Sequence, residues 1–245
     1  MSIKHHRFGV LTPSSNTSLE PLTSAIVSEI PGTTAHFSRF RVTEITLEKQ
    51  ASDQFAQENI MAAANLLTDC RADVIGWSGT SSSWLGFEKD AELCQKIEAQ
   101  TGIPATTSIL ALNELLSRFG HHSFGLVTPY TAQVQDRILS NYSAAGFNIV
   151  AEDHLGISEN FAFSEISEAT LTAQVRKVAE QGAPVIVVAC TNLRAAGLVS
   201  RWEAEFGIPV LDTTITVIWK MLQMTGQEPA MSGWGRLMTG EMIHG

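Results

Sequence analysis

Phe8-Gly9-Val10-Leu11-Thr12-Pro13 returns 116 residues later, from position 8 to position 124, as Phe124-Gly125-Leu126-Val127-Thr128-Pro129. Ala72-Asp73-Val74-Ile75, which leads into Gly79-Thr80-Ser81, returns 111 residues later, from 79 to 190, as Ala183-Pro184-Val185-Ile186 leading into Cys190-Thr191-Asn192. Gly102-Ile103-Pro104 returns 105 residues later, from 102 to 207, as Gly207-Ile208-Pro209. Three echoes in the same order with slowly drifting offsets describe two homologous halves. The expected division falls near Gly120–His122, with residues 1–120 as the first half and 121–245 as the second. The segment 214–245 is open to packing back on the first half. Whatever the first half folds into, the second must fold into as well.

What each half folds into follows from its patterning. Short apolar runs ending in polar or glycine-rich turns alternate with helical patterns, which makes an α/β fold with mostly parallel sheets covered by helices. Strands are expected at Phe8–Thr12, Thr34–Arg41, Val74–Ser78 and Ala105–Ser108. Their second-half counterparts are Ser123–Thr128, Asn148–His154, Val185–Ala189 and Val210–Asp212. Helices are expected over Ser52–Cys70, Lys89–Thr101, Ile109–Phe119, Ala132–Ala145, Glu168–Gln181 and Thr214–Thr225. The Gly-, Met- and Pro-containing tail from Gln227 reads as a covering segment.

Composition narrows the function classes. A formal net charge of −9 and a pI near 5.2 leave no basic stripe for a nucleic acid. No run of 18 or more apolar residues offers a membrane span, and the polar start, Met1 to Arg7, does not read as a signal peptide. Three cysteines, spaced 24 and 96 apart, form neither a disulfide framework nor a zinc pattern, so a reducing, cytoplasmic setting is the default expectation.

In sheets of this kind ligands bind outside the carboxyl ends of the strands. Four such ends carry polar residues: Thr12-Pro13-Ser14-Ser15-Asn16, Gly79-Thr80-Ser81, Thr128-Pro129-Tyr130 and Cys190-Thr191-Asn192. They offer hydroxyls, amides, backbone N–H groups and one thiol, with no carboxylate pair, metal cluster or dinucleotide loop. Hydroxyls beside N–H groups suit a carboxylate or a developing oxyanion. Cys190 is the only ionisable side chain among these ends apart from the Tyr130 phenol, and a thiol whose ionisation is tuned by its surroundings can move a proton at neutral pH. Cys70 and Cys94 lie on helical patterns and read as core residues. None of the seven histidines is assigned a catalytic role.

These residues resemble the aspartate/glutamate racemase superfamily, in its branch of maleate cis-trans isomerases and arylmalonate decarboxylases, from Phe8 to Gly226. Pro13-Ser14-Ser15-Asn16-Thr17 is similar to the substrate-binding turn of the isomerases, and His36-Phe37-Ser38-Arg39-Phe40-Arg41 matches a segment after it. Val127-Thr128-Pro129-Tyr130 resembles a loop whose tyrosine contacts a substrate carboxylate. Asn160 fits a substrate-binding asparagine, and Cys190 falls on the second of two catalytic cysteines. The first of the two is Gly79 here. Arylmalonate decarboxylases also have glycine at that place, followed by Thr-Ser as at Thr80-Ser81.

The resemblance implies two α/β halves with a site in the cleft between them, no cofactor, a small dicarboxylate or related acid as substrate, and a homo-oligomer. Cys190 is the expected catalytic residue. Pro13, Ser14, Ser15, Asn16, Gly79, Thr80, Ser81, Tyr130, Asn160, Thr191 and Asn192 are the expected substrate contacts. One thiol can deliver a proton to one face only, which is what decarboxylation of a malonate-type diacid requires. Trp77, Trp84, Leu85 and Phe40 are available as apolar walls that would desolvate the departing carboxylate. Decarboxylation is therefore the first expectation from sequence. Isomerisation of a maleate-type acid, or racemisation, is the alternative, and a non-catalytic diacid-binding protein is a further one.

Overall fold

The structure, a computed structural model, describes residues 5–48, 53–55 and 57–241. Its first sheet is built from β1 (His6–Pro13), β2 (Thr33–Phe40), β3 (Val74–Trp77) and β4 (Ala105–Thr107), all parallel, in the order β2-β1-β3-β4. The second sheet, β5 (Ser123–Thr128), β6 (Asn148–His154), β7 (Ile186–Val188) and β8 (Val210–Asp212), is also parallel and has the order β6-β5-β7-β8. The two orders are the same topology written twice. Strand register agrees with the sequence echoes: Leu11 faces Trp77 and Thr107 follows on, while Val127 faces Val188 and Asp212 follows on.

Each echo has a physical cause. Helices α1 (Leu19–Ser28) and α2 (Gln57–Asp69) belong to the first half, as do the short α3 (Ser82–Leu85), α4 (Glu88–Thr101) and α5 (Ser108–Arg118). The second half adds α6 (Ala132–Ala144), α7 (Glu168–Glu180), α8 (Val199–Phe206), α9 (Thr213–Met224) and the short α10 (Arg236–Thr239). A Cβ on Gly9 would sit 3.1 Å from both Leu67 of α2 and Ala72. One on Gly125 would run into Val178 of α7 and lie 2.7 Å from Ala183. The repeated glycines let a helix lie close on the central strand of each sheet. Gly102 and Gly207 end α4 and α8 in the left-handed region, at φ 71° and 72°. The prolines two residues on then present their carbonyls to Ile75 and Ile186, each at 2.9 Å.

Central strands β1, β5 and β7 are buried almost throughout, as parallel strands covered on both faces must be, whereas the edge strand β6 is half exposed. All eight expected strands are present, three with the expected bounds and the others with ends moved by one or two residues. Among the expected helices, Ser52 lies outside the described residues. Helices α1 and α8 and the short α3 and α10 went unread. Proline at position 21 looks like a breaker, yet it stands in the first turn of α1, where its missing N–H has no intrahelical partner to lose. Helix α8 is only eight residues long.

The halves are tied together. Asn160 N–H donates to Thr43 O at 3.0 Å and Ile45 N–H to Ser158 O at 2.8 Å, flanking an antiparallel bridge between Glu44 and Glu159. Helix α9 packs against α5, with Thr216 Oγ1 donating to Ser108 O and Lys220 paired to Glu114. In the tail, Met231, Leu237 and Met238 are buried. No described helix is long and apolar enough to cross a membrane.

Candidate active site

β7 delivers Cys190 to a small cavity that both halves line. The thiol is buried at 3 % exposure, and burial pushes its pKa up to about 12. The N–H groups of Asn192 and Leu193 and the Tyr130 hydroxyl act against that rise, and the nearby Asp212 carboxylate adds to it. At neutral pH Cys190 is therefore a protonated thiol, a proton donor rather than a standing nucleophile. Asp212 itself caps α9, its Oδ1 accepting from Thr214 N–H at 2.8 Å and Ile215 N–H at 3.2 Å. Burial raises its pKa to about 7.

Tyr130, from the turn after β5, links the thiol to the first half. Its hydroxyl is 2.6 Å from Thr80 Oγ1 and hydrogen-bonds Cys190. The ring is held edge-on by Trp84 at 5.2 Å and Phe163 at 5.6 Å. Burial raises the phenol well above its ordinary range, with the Cys190 charge next. Thr80, Tyr130 and Cys190 thus form a hydroxyl–phenol–thiol chain across the cleft. This chain can pass a proton and supply O–H donors to an oxyanion.

Opposite Cys190 in the repeat stands Gly79. A Cβ there would lie 2.5 Å from Cη2 of the Trp77 indole and nearer still to Cζ2 and Cε2. The indole is 1 % exposed and rests on Phe40 at 5.0 Å.

The cavity gathers Pro13, Asn16, Gly79, Thr80, Ser81, Tyr130, Asn160, Cys190, Thr191 and Asn192 from the expected set. Ser14 and Ser15 lie outside this lining. Ser14 is exposed, its Oγ bridging the N–H and O of Val42, and Ser15 Oγ donates to Val42 O at 2.5 Å. Their work is to fix the Val42 segment beside the turn. Ser15 also accepts from Asn160 Nδ2 at 2.7 Å, which aims that side chain. Asn192 lines the cavity but spends its amide on the protein. Its Oδ1 accepts from Thr17 and Ser18 N–H at 3.0 and 3.2 Å, and Nδ2 donates to Asn160 O at 2.5 Å. Asn16 Oδ1 accepts from Ser18 and Leu19 N–H, capping α1. Its Nδ2 reaches Thr191 Oγ1 at a long 3.4 Å, and Thr191 donates to Ser78 O. That weak bond leaves the Asn16 amide the more readily recruited donor.

Of the expected walls, Trp77 and Trp84 line the cavity, whereas Leu85 and Phe40 stand behind it. Val42, Ile45 and Phe55 also line it and went unread, because they lie on the connection after β2, held by the bridge of Glu44 to Glu159 and by Phe55 packing on Trp84. Among the described residues no Lys, Arg, His, Asp or Glu lines the cavity, so those residues offer an anion neutral donors. About 20 Å³ is open inside, room for one water, so a diacid must push these walls apart. A larger open groove, near 650 Å³, is bordered by Glu168, Arg176, Lys177 and Arg201 on α7 and α8; it is a charged surface feature away from the thiol.

A family model described as arylmalonate decarboxylase matches residues 20–238. A maleate isomerase of Pseudomonas putida is 27% identical over 254 residues, covering 96% of this chain and 98% of its own. An arylmalonate decarboxylase of Bordetella bronchiseptica is 26% identical over 184 residues, covering 74% and 77%. Among solved structures, a Nocardia farcinica maleate cis-trans isomerase superposes with a TM-score of 0.88 at 24% identity, covering 97% of this chain and 100% of that one. That isomerase, with one cysteine exchanged for serine, holds a covalently bound succinylcysteine intermediate.

Proposed function

The chain belongs to the arylmalonate decarboxylase family, in the maleate isomerase and arylmalonate decarboxylase branch of the aspartate/glutamate racemase superfamily, and from that premise we propose that it isomerises a maleate-type dicarboxylate without a cofactor, Cys190 being the single reacting thiol. The Cys190–Tyr130–Thr80 chain carries this reading. Similarity to maleate isomerases over nearly the whole chain supports it over decarboxylation, reversing the order expected from sequence.

The bound diacid lies with one carboxylate toward Thr80, Ser81 and Tyr130. Cys190 sulfur adds to an alkene carbon: the S–C bond forms, and the π pair moves to the neighbouring carboxylate as an enediolate. The thiol proton passes through Tyr130 and Thr80 to an enediolate oxygen. Neutral O–H and N–H donors from buried residues stabilise that charge. The former double bond is now single and rotates. The enediolate pair then restores the π bond, the C–S bond breaks, and the proton returns to sulfur. Nothing is gained or lost, so no co-reactant is needed.

Decarboxylation of a malonate-type diacid remains as the second reading, favoured by Gly79 and the Trp77 indole packed over it. There carbon dioxide leaves, the same donors hold the enediolate, and the protonated Cys190 thiol gives its proton to carbon. Proton NMR in deuterium oxide with maleate and with alkyl- and arylmalonates separates the two. The isomerase reading expects fumarate from maleate and a loss on the order of 1,000-fold in Cys190→Ala. Consumption of a malonate alone would favour the second. Diacid binding without turnover, indifferent to Cys190→Ala, would leave a binding protein.

A further inference from the structure

The repeat places a direct internal comparison beside Gly79. Counting back from Gly79 and Cys190 at the same offset, Trp77 corresponds to Val188, and strand register agrees, since Trp77 faces Leu11 where Val188 faces Val127. The second half therefore has a small valine and then a cysteine, and the first has a tryptophan and then a glycine. The exchange is compensated in volume. The indole fills the space that a side chain at position 79 would occupy, overlapping even its Cβ. It has no easy retreat: it is buried against Phe40, and its backbone is paired with Leu11 on one side and Thr107 on the other.

We propose that Trp77 is the specificity-determining residue of the site, its indole standing where the first half would carry a counterpart of Cys190 and leaving the substrate one reactive face. This rests on the proposed chemistry at Cys190 and extends it. Sulfur adds, or a proton arrives, from the Cys190 side, while the far side is an aromatic wall on which the described residues place no thiol counterpart of Cys190. Substrates that suit the site are planar acids able to lie against the indole. Reactions that need traffic at both faces, racemisation above all, are closed to it. Gly79→Cys alone does not reopen them, because the indole must leave first.

The test is a double-mutant cycle on the whole protein with Trp77→Val, Gly79→Ala and Gly79→Cys. Thermal melting of the empty protein reads the packing. Gly79→Ala is expected to lower Tm by several degrees in the Trp77 protein and to cost little or nothing once Trp77→Val is present. Penalties that simply add would overturn the proposal, whatever the protein catalyses. Loss of optical activity of a chiral 2-aryl acid reads the faces. The double variant Trp77→Val/Gly79→Cys is expected to racemise it at least tenfold faster than Gly79→Cys alone or the unmodified protein. Equal rates for the single and double variants, or no racemisation by a double variant whose Cys190 still alkylates, would overturn it. Failure of the isomerase reading is distinguishable, since it removes maleate turnover and leaves the melting coupling untouched.

Discussion

Tyr130→Phe isolates the hydroxyl that joins the two halves and leaves the ring packing on Trp84 and Phe163 in place. In the thiolate form of Cys190 the phenol donates to sulfur while Thr80, 2.6 Å from the phenol oxygen, donates in turn. A hydrogen bond to a charged acceptor contributes about 1.5–3 kcal/mol. At about 1.4 kcal/mol per tenfold, its loss lowers the thiolate fraction at fixed pH by roughly 10- to 150-fold. Cys190 is pushed up to about 12 even with this bond, so without it the thiol ionises higher still. The assay is iodoacetamide alkylation of Cys190, followed by peptide mass spectrometry between pH 7 and 10. Cys70, half-buried on the surface of the first half, serves as the internal control. Tyr130→Phe is expected to slow Cys190 by at least about tenfold relative to Cys70. Alkylation within twofold of the unmodified protein would refute a phenol–sulfur bond and with it the proton path through Tyr130.

Asp212→Asn keeps the cap on α9, since asparagine caps as well as aspartate, but removes a buried acid. Because the folded-state pKa of Asp212, about 7, lies above its ordinary 3.8, the folded protein holds the proton longer. This contribution to stability is full at low pH and is lost as pH rises from about 4 to 7, on the order of 4 kcal/mol in all. Urea midpoints measured across that window should fall less steeply in the variant, and parallel slopes would contradict the assignment. Asn192→Ala strands the Thr17 N–H and takes the amide donor from the Asn160 carbonyl, while Ser18 N–H keeps Asn16, so unfolding free energy is expected to drop by about 1–3 kcal/mol in urea titrations. Ser14→Ala, at an exposed position outside the cavity, should leave KM within about twofold.

The fold was legible because each echo marks a place where backbone geometry leaves little choice. Gly9 and Gly125 admit a close helix, and Gly102 and Gly207 adopt positive φ. The strand-end rule then brings Thr80, Tyr130 and Cys190 together. Less visible was how each amide spends its bonds. Asn160 and Asn192 look alike in sequence, yet Asn192 is consumed by a helix start 174 residues away in the chain. The direction of Trp77 was equally hidden, since its clash with position 79 is a property of packing rather than of period. Asp212 went unread as a neighbour of Cys190 because strand pairing, not sequence proximity, brings β8 beside β7.

The central claim is that a dicarboxylate lies in the cavity between Cys190 and the Trp77–Gly79 wall. A crystal structure with saturating succinate, which has no double bond to react, tests it most directly. The account predicts the diacid within hydrogen-bond reach of Thr80 and Tyr130, one carbon facing Cys190 sulfur, and Val42, Ile45 or Phe55 displaced outward to make room. An unchanged, closed cavity with succinate bound elsewhere, or bound nowhere, would contradict it.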